Sequence, residues 1–246
     1  MQKIEYREGP SPHVVVDNFL PIAAARECLE EAQRLEPVYE EALVGQDASA
    51  LKNDGCDECK AVAHTSKVTQ RSNQVVMLDR EYSYPNNRYN SSILSSLQAA
   101  LLNGSFINTM QSFPNLFPLV GLTTHMETIL SSYGRCDFYG WHTDALPFAL
   151  SHRMITCVVH FNTEPQQYEG GELILTGKTL EDQLAYSPVH NKAIFFESYK
   201  TVHAVDETIF EGDFKDSRFS INLWLGFVPE HVPESPRAPI SYRYRI

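Results

Sequence analysis

Residues 218–227 read RFSINLWLGF, a run in which aromatic and branched apolar residues crowd together and the first Gly comes only at position 226. That composition suits a strand in a buried sheet. Comparable runs precede it at residues 122–130, 154–162, 172–176, 183–187, 192–197 and 202–205, each bounded by turn residues. Short strands at this spacing form a sandwich or barrel. Because helical patterns come before them, the expected fold class is α+β, with a double-stranded β-helix core of jelly-roll, cupin-like form and N-terminal helices packed on one face. We expect a single domain over residues 1–246, with a helical support region and lid loops at 1–120, a jelly-roll core at 121–230 and a C-terminal tail at 231–246.

In the first half, His13-Val14-Val15-Val16 reads as a short buried strand. Ile22, Ala25, Leu29, Ala32 and Leu35 follow at helical spacing, up to Pro37. A second helix is expected from Ser91, its cap, to Asn103, with Gly104 as terminator, and a short third one at residues 106–111. Between these, residues 44–67 lose all apolar periodicity and read as a long loop, which together with residues 82–87 could close over a site. Five cysteines form a set too odd and sparse for a disulfide scaffold. Cys56 and Cys59 alone have a suggestive spacing, and no second pair completes a zinc site.

Composition narrows the function classes. With 43% hydrophobic and 21% charged residues the chain can bury a core, and no apolar run reaches the roughly 18 residues that a membrane-spanning helix needs. A cytoplasmic protein without membrane or nucleic-acid partners is expected, since the net charge of −11 repels a phosphate backbone and no basic patch offsets it. A monomer or homodimer fits equally well.

The chemistry concentrates in Tyr139-Gly140-Trp141-His142-Thr143-Asp144. In an extended backbone His142 and Asp144 leave from the same face, and His203, 59 residues after Asp144, lies on a later strand that a closed sheet can bring alongside. Two imidazoles and one carboxylate make the facial triad that holds non-haem Fe(II) with three positions open. The order of surrounding motifs adds specificity: Gly170-Gly171-Glu172-Leu173, Pro188, Phe195-Phe196, His203, then Arg218-Phe219-Ser220-Ile221-Asn222-Leu223-Trp224. In this order the chain resembles the 2-oxoglutarate- and Fe(II)-dependent oxygenases of the prolyl 4-hydroxylase-like superfamily, over roughly residues 130–227.

The resemblance implies His142, Asp144 and His203 as iron ligands, and Arg218 as the cation that pairs with the distal carboxylate of 2-oxoglutarate through its planar fork. It also implies Tyr133, His160 and Asn222 as contacts to that cosubstrate, with His160 standing where relatives often have a tyrosine. Arg218 follows His203 by 15 positions where about ten is usual, through the acidic insert at residues 206–216. Trp224, six after Arg218, keeps the strand register and favours Arg218 over Lys215. The implied cofactors are Fe(II), 2-oxoglutarate and O₂, with ascorbate as an optional addition. The implied reaction is hydroxylation of an unactivated C–H with release of succinate and CO₂, since Asp144 fills the position that a halide needs in related halogenases. A prolyl residue, free proline or another amino acid is the expected substrate, a small molecule or peptide met by Arg153 as a carboxylate clamp and by Trp141 and Trp224 as apolar walls. Two alternatives stay open: the same iron centre working as desaturase, cyclase or demethylase, and a non-catalytic cupin-like binding module. Each residue also has an ordinary role available, as core histidine, turn former or surface ion pair.

Overall fold

A computed structural model describes residues 2–42, 71–78, 91–145, 150, 152–179 and 181–227. The expected loop at 44–67, with Cys56 and Cys59, the stretch 82–87 and the tail 231–246 lie outside these residues. The elements in chain order are β1 (Lys3–Arg7), β2 (His13–Asp17), α1 (Ile22–Arg34), β3 (Glu40–Glu41), β4 (Gln74–Met77), α2 (Ser92–Leu101), α3 (Gly104–Gln111), β5 (His125–Tyr133), β6 (Tyr139–His142), β7 (Arg153–Phe161), β8 (Tyr168–Gly170), β9 (Leu173–Thr176), β10 (Gln183–Tyr186), β11 (Ala193–Glu197), β12 (His203–Val205), β13 (Thr208–Phe210) and β14 (Arg218–Gly226).

An eight-stranded sheet runs β1-β2-β11-β7-β14-β5-β4-β3, a four-stranded sheet runs β10-β9-β12-β6, and β13 pairs with β8. Side chains alternate along each strand, so the large sheet has two buried faces of different character. One face carries Met126, Leu130, Ile155, Cys157, Val159, Phe219, Ile221 and Leu223, which pack with Ala25, Cys28 and Ala32 of α1, Leu94 and Leu97 of α2 and Phe106 of α3. The other brings Tyr133, Val158, Ile194 and Phe196 against Leu173, Leu175, Tyr186 and Val205 of the small sheet. Helices on one face of a jelly roll are thus what the alternation of β5, β7 and β14 produces.

The helices differ from expectation in detail. Ile22 is 84% exposed, and buried Cys28 holds the inner stripe of α1 instead. Ser91 caps α2 as expected, accepting from the Leu94 amide at 3.1 Å, and buried Glu31 of α1 accepts the Ile93 amide at 2.9 Å. Gly104 does not terminate α2, which ends at Leu101; it opens α3, whose free amides at Ser105 and Phe106 donate to the Asn103 side chain. Strands β1, β3, β4, β8 and β13 had no clear sequence signal. β13 and the 3₁₀ turn Phe214–Asp216 take up the acidic insert and so explain the 15-residue step from His203 to Arg218. Cys28 and Cys157 are free and buried, and Cys136 is disulfide-bonded. Burial pushes the Cys28 thiol up to about 12, which leaves it a packing group. Among the described residues no helix is long and apolar enough to cross a membrane.

One side chain ties the N-terminal segment to the barrel. Asn191, at φ 60°, accepts from the Leu20 amide and donates to the Leu20 carbonyl, both at 2.8 Å. Asn191→Ala should destabilise the fold by roughly 2–4 kcal/mol, because it leaves two buried backbone groups unpaired and puts a less tolerant residue in the left-handed region. A chemical-denaturation midpoint measures this; a loss below about 0.5 kcal/mol, the range of ordinary surface changes, would contradict it.

Candidate metal centre and anion pocket

Strand β12 pairs with β6 so that His203 stands opposite His142, and the two rings lie 4.1 Å apart at an angle of 52°. Asp144 follows β6 in a turn fixed by its own amide and that of Ala145, both donating to the Ser198 carbonyl. Its Oδ1 lies 3.6 Å from His142 Nε2 and its Oδ2 lies 3.4 Å from His203 Nε2. Thr156 of β7 donates to Oδ2 at 2.7 Å and also contacts Ser198 Oγ at 2.9 Å. Tyr139 stacks on His142 at 3.7 Å, and Phe196 packs on His203 at 4.7 Å.

Backbone carbonyls orient both rings. His142 Nδ1 faces the Gly140 carbonyl at 2.9 Å and His203 Nδ1 faces the Thr201 carbonyl at 3.1 Å. A carbonyl only accepts, so both Nδ1 atoms carry a proton, and both Nε2 atoms are turned towards Asp144. Buried His142 Nε2 has no hydrogen-bond partner among the described residues. Burial, helped by His142, pulls His203 down to about 4, so it is the neutral ligand form at neutral pH. Burial pushes the Asp144 carboxyl up, but His203, His142 and Thr156 outweigh it and hold the group well below the usual carboxylate range. A carboxylate and two imidazoles whose Nε2 atoms converge on it fit a divalent iron.

Arg218 opens β14 and is fully buried. Its Nε donates to the Gly171 carbonyl at 2.7 Å and Nη1 to Ser220 Oγ at 3.3 Å, while its guanidinium lies 4.5 Å over the Tyr133 ring. Nη2 stands 3.5 Å from His160 Nδ1, which can only accept there, so Nε2 of His160 carries the proton. Burial first, then Arg218 and Lys192, keep His160 neutral. Gly171 is required: at φ +72° a Cβ would meet Arg218 Cδ at 2.5 Å. Among the described residues no carboxylate forms an ion pair with Arg218, and Tyr133 Oη, His160 Nε2, Tyr168 Oη, Thr208 Oγ1 and Ser131 Oγ are buried without partners. A buried cation ringed by idle polar groups can take up a carboxylate.

The remaining candidates separate. Asn222 and Trp224 share the face of Arg218 along β14, and Asn222 is half-buried there. Trp224 is buried beside Val75 and Ile129. Trp141 alternates with His142 and leaves from the opposite face of β6, so it does not wall the triad. Arg153 is not an open clamp: its Nη2 meets Glu127 Oε2 at 2.6 Å and its Nη1 donates to the Asp144 carbonyl at 3.2 Å. It also lies 3.8 Å over the Trp224 ring. Thr156, Ser198 and Glu127 escape sequence reasoning, although His125-Met126-Glu127 obeys the same two-residue rule as His142-Thr143-Asp144.

Residues 128–226 match the model of the 2OG-Fe(II) oxygenase superfamily. A stretch of 108 residues is 29% identical to an uncharacterized PKHD-type hydroxylase of Synechocystis, covering 41% of this chain and 36% of that one, so the match spans about a third of the relative's length. The fold is similar to a prolyl-4-hydroxylase of Pseudomonas putida, with a TM-score of 0.53 and 18% identity over 88% of this chain and 92% of that one. It is similar to the same degree, over 87% and 83%, to a Trichoplax adhaerens prolyl hydroxylase solved with a hypoxia inducible factor peptide fragment. Over residues 128–226 the chain is thus similar to the 2OG-Fe(II) oxygenase superfamily, in the part that carries the converging His142, Asp144 and His203, and its fold is similar to that of prolyl hydroxylases.

Proposed function

We propose that this chain is an Fe(II)- and 2-oxoglutarate-dependent dioxygenase that hydroxylates a C–H bond of a prolyl residue within a peptide. The observation that carries this reading is the pairing, in one barrel interior, of a converging two-histidine, one-carboxylate set with a buried arginine that forms no ion pair among the described residues. His142, Asp144 and His203 would hold the metal, and Arg218 would hold the far carboxylate of 2-oxoglutarate. Bound there, Fe(II) supplies the redox chemistry that couples oxidative decarboxylation of 2-oxoglutarate to substrate oxidation by O₂.

The chain's own part is orientation and exclusion of water. Thr156 fixes one oxygen of Asp144, the Gly140 and Thr201 carbonyls fix the two imidazoles, and the Ser198 carbonyl anchors the turn. Tyr133 Oη and His160 Nε2–H would donate to the cosubstrate carboxylate beside Arg218; both are buried and make no hydrogen bond among the described residues. A peptidyl rather than a free amino-acid substrate is favoured because Arg153, the candidate for a substrate carboxylate, is already paired with Glu127. The Trichoplax relative, solved with a peptide fragment, agrees with that choice.

The test is a panel of free proline, other free amino acids and peptides with an internal proline and blocked ends, read by succinate formed above the uncoupled background and by a product mass gain of one oxygen. We expect blocked peptides to exceed free proline at least tenfold, about 1.4 kcal/mol in transition-state binding. Turnover of free amino acids alone would reject the peptidyl reading, and a product that loses two hydrogens would replace the hydroxylase by a desaturase.

A further inference from the structure

The chain contains a second two-histidine, one-carboxylate set. His125 and Glu127 lie two apart on β5 and project to the same face, and His152 directly precedes β7. Gly226 of β14 brings them together: it stands opposite His125 on one side and Arg153 on the other, and a Cβ there would lie 1.6 Å from the His152 carbonyl oxygen. The donor atoms of the three side chains lie within 4.8 Å of one another.

The present contacts leave this set incompletely satisfied. His125 is 2% exposed, yet neither of its ring nitrogens makes a hydrogen bond among the described residues. A buried imidazole whose nitrogens make no hydrogen bond carries a desolvation cost that a ligand would offset. Its Nε2 is 3.4 Å from Glu127 Oε1, which is about the separation of neighbouring donors around a tetrahedral ion at metal–ligand distances of roughly 2.1 Å. His152 Nε2 contacts the same oxygen directly, and with its side chain 26% exposed it is the member that can swing outward. Arg153 holds the other oxygen at 2.6 Å and so keeps Oε1 turned towards the imidazoles.

We propose that His125, Glu127 and His152 form a second divalent-metal site, distinct from the His142 triad and suited to Zn²⁺. Two imidazoles and a carboxylate match the borderline character of that ion, and the open side at His152 leaves its fourth position to water. The Arg153 cation opposes a dication, so binding is weaker than at a closed four-ligand site. Arg153 also donates to the Asp144 carbonyl, which places the second ion one side chain away from the turn that carries an iron ligand.

Equilibrium dialysis of the full chain against Zn²⁺, followed by metal analysis, tests this without any turnover assay. His152→Ala should bind one equivalent fewer than the wild type, and so should His125→Gln; His142→Ala should lose a different equivalent, so that the His142/His152 double variant loses both. Thermal melts establish that each variant is folded, and His152, the most exposed of the three, is the substitution that disturbs packing least. Equal zinc content in the wild type and a folded His152→Ala would overturn the second site. Loss from His152→Ala with none from His142→Ala would uphold it and instead contradict the iron site of the proposed function.

Discussion

Replacing Asp144 by Ala is expected to remove 2-oxoglutarate turnover almost entirely while the chain stays folded. The carboxylate faces both Nε2 atoms, at 3.6 and 3.4 Å, so the variant keeps two imidazoles and loses the anion that would neutralise a dication. We expect kcat/KM for 2-oxoglutarate to fall by at least about 10³, or roughly 4 kcal/mol. The fold should survive because Thr156, deprived of Asp144, retains Ser198 Oγ at 2.9 Å, and the turn backbone still donates to the Ser198 carbonyl. The measurement is succinate formed under saturating Fe(II), beside a melt of the metal-free protein. Turnover within tenfold of the wild type would remove Asp144 from the centre, and an unfolded variant would be replaced by Asp144→Asn, which keeps the shape and loses the charge.

How far the sequence could carry this reading depends on the range of the interaction in question. Strands β5, β7, β9, β10, β11, β12 and β14 stood out because each is a short apolar run within one stretch of chain. The pair β8–β13 did not, since its strand character comes from a partner far away in sequence: Thr208 pairs with Gly170, 38 positions earlier; edge strand β1, Lys3–Arg7, is mostly charged and polar and shows as a strand only through its pairing with β2. That His142 and Asp144 leave from one face was legible from the alternation of a strand, whereas Arg218 rests on the family resemblance, with its spacing to Trp224 favouring it over Lys215. Why Gly171 is glycine was not, because the atom it must avoid belongs to Arg218, 47 residues on. Arg153 as an open clamp failed for the same reason: a free guanidinium and one locked to Glu127, 26 residues back, look alike in sequence. The His125 set lay hidden because a sequence does not say which third ligand a two-residue motif will meet.

Arg218→Ala should raise the KM for 2-oxoglutarate by at least about 30-fold with kcat at saturation changed much less. Truncating one partner of a desolvated charge pair costs on the order of 2–5 kcal/mol, and 1.4 kcal/mol is one decade of affinity. The effect belongs in KM because the cation would grip the end of the cosubstrate away from the reacting atoms, and so bind ground and transition states alike. Arg218→Lys should fall between, since a point charge cannot donate from several nitrogens as this guanidinium does to Gly171 and Ser220. A second route to the same result leaves Arg218 in place: Gly171→Ala puts a Cβ 2.5 Å from Arg218 Cδ and should displace the side chain, raising KM in the same direction. Lys192 and Lys215 are poor substitutes, since the first pairs with Asp17 at 3.5 Å and the second is exposed beside Asp213. An unchanged KM in both Arg218→Ala and Gly171→Ala would therefore separate the cosubstrate from this pocket altogether, and with it the idle hydroxyls of Tyr133, Tyr168 and Thr208 would need another ligand.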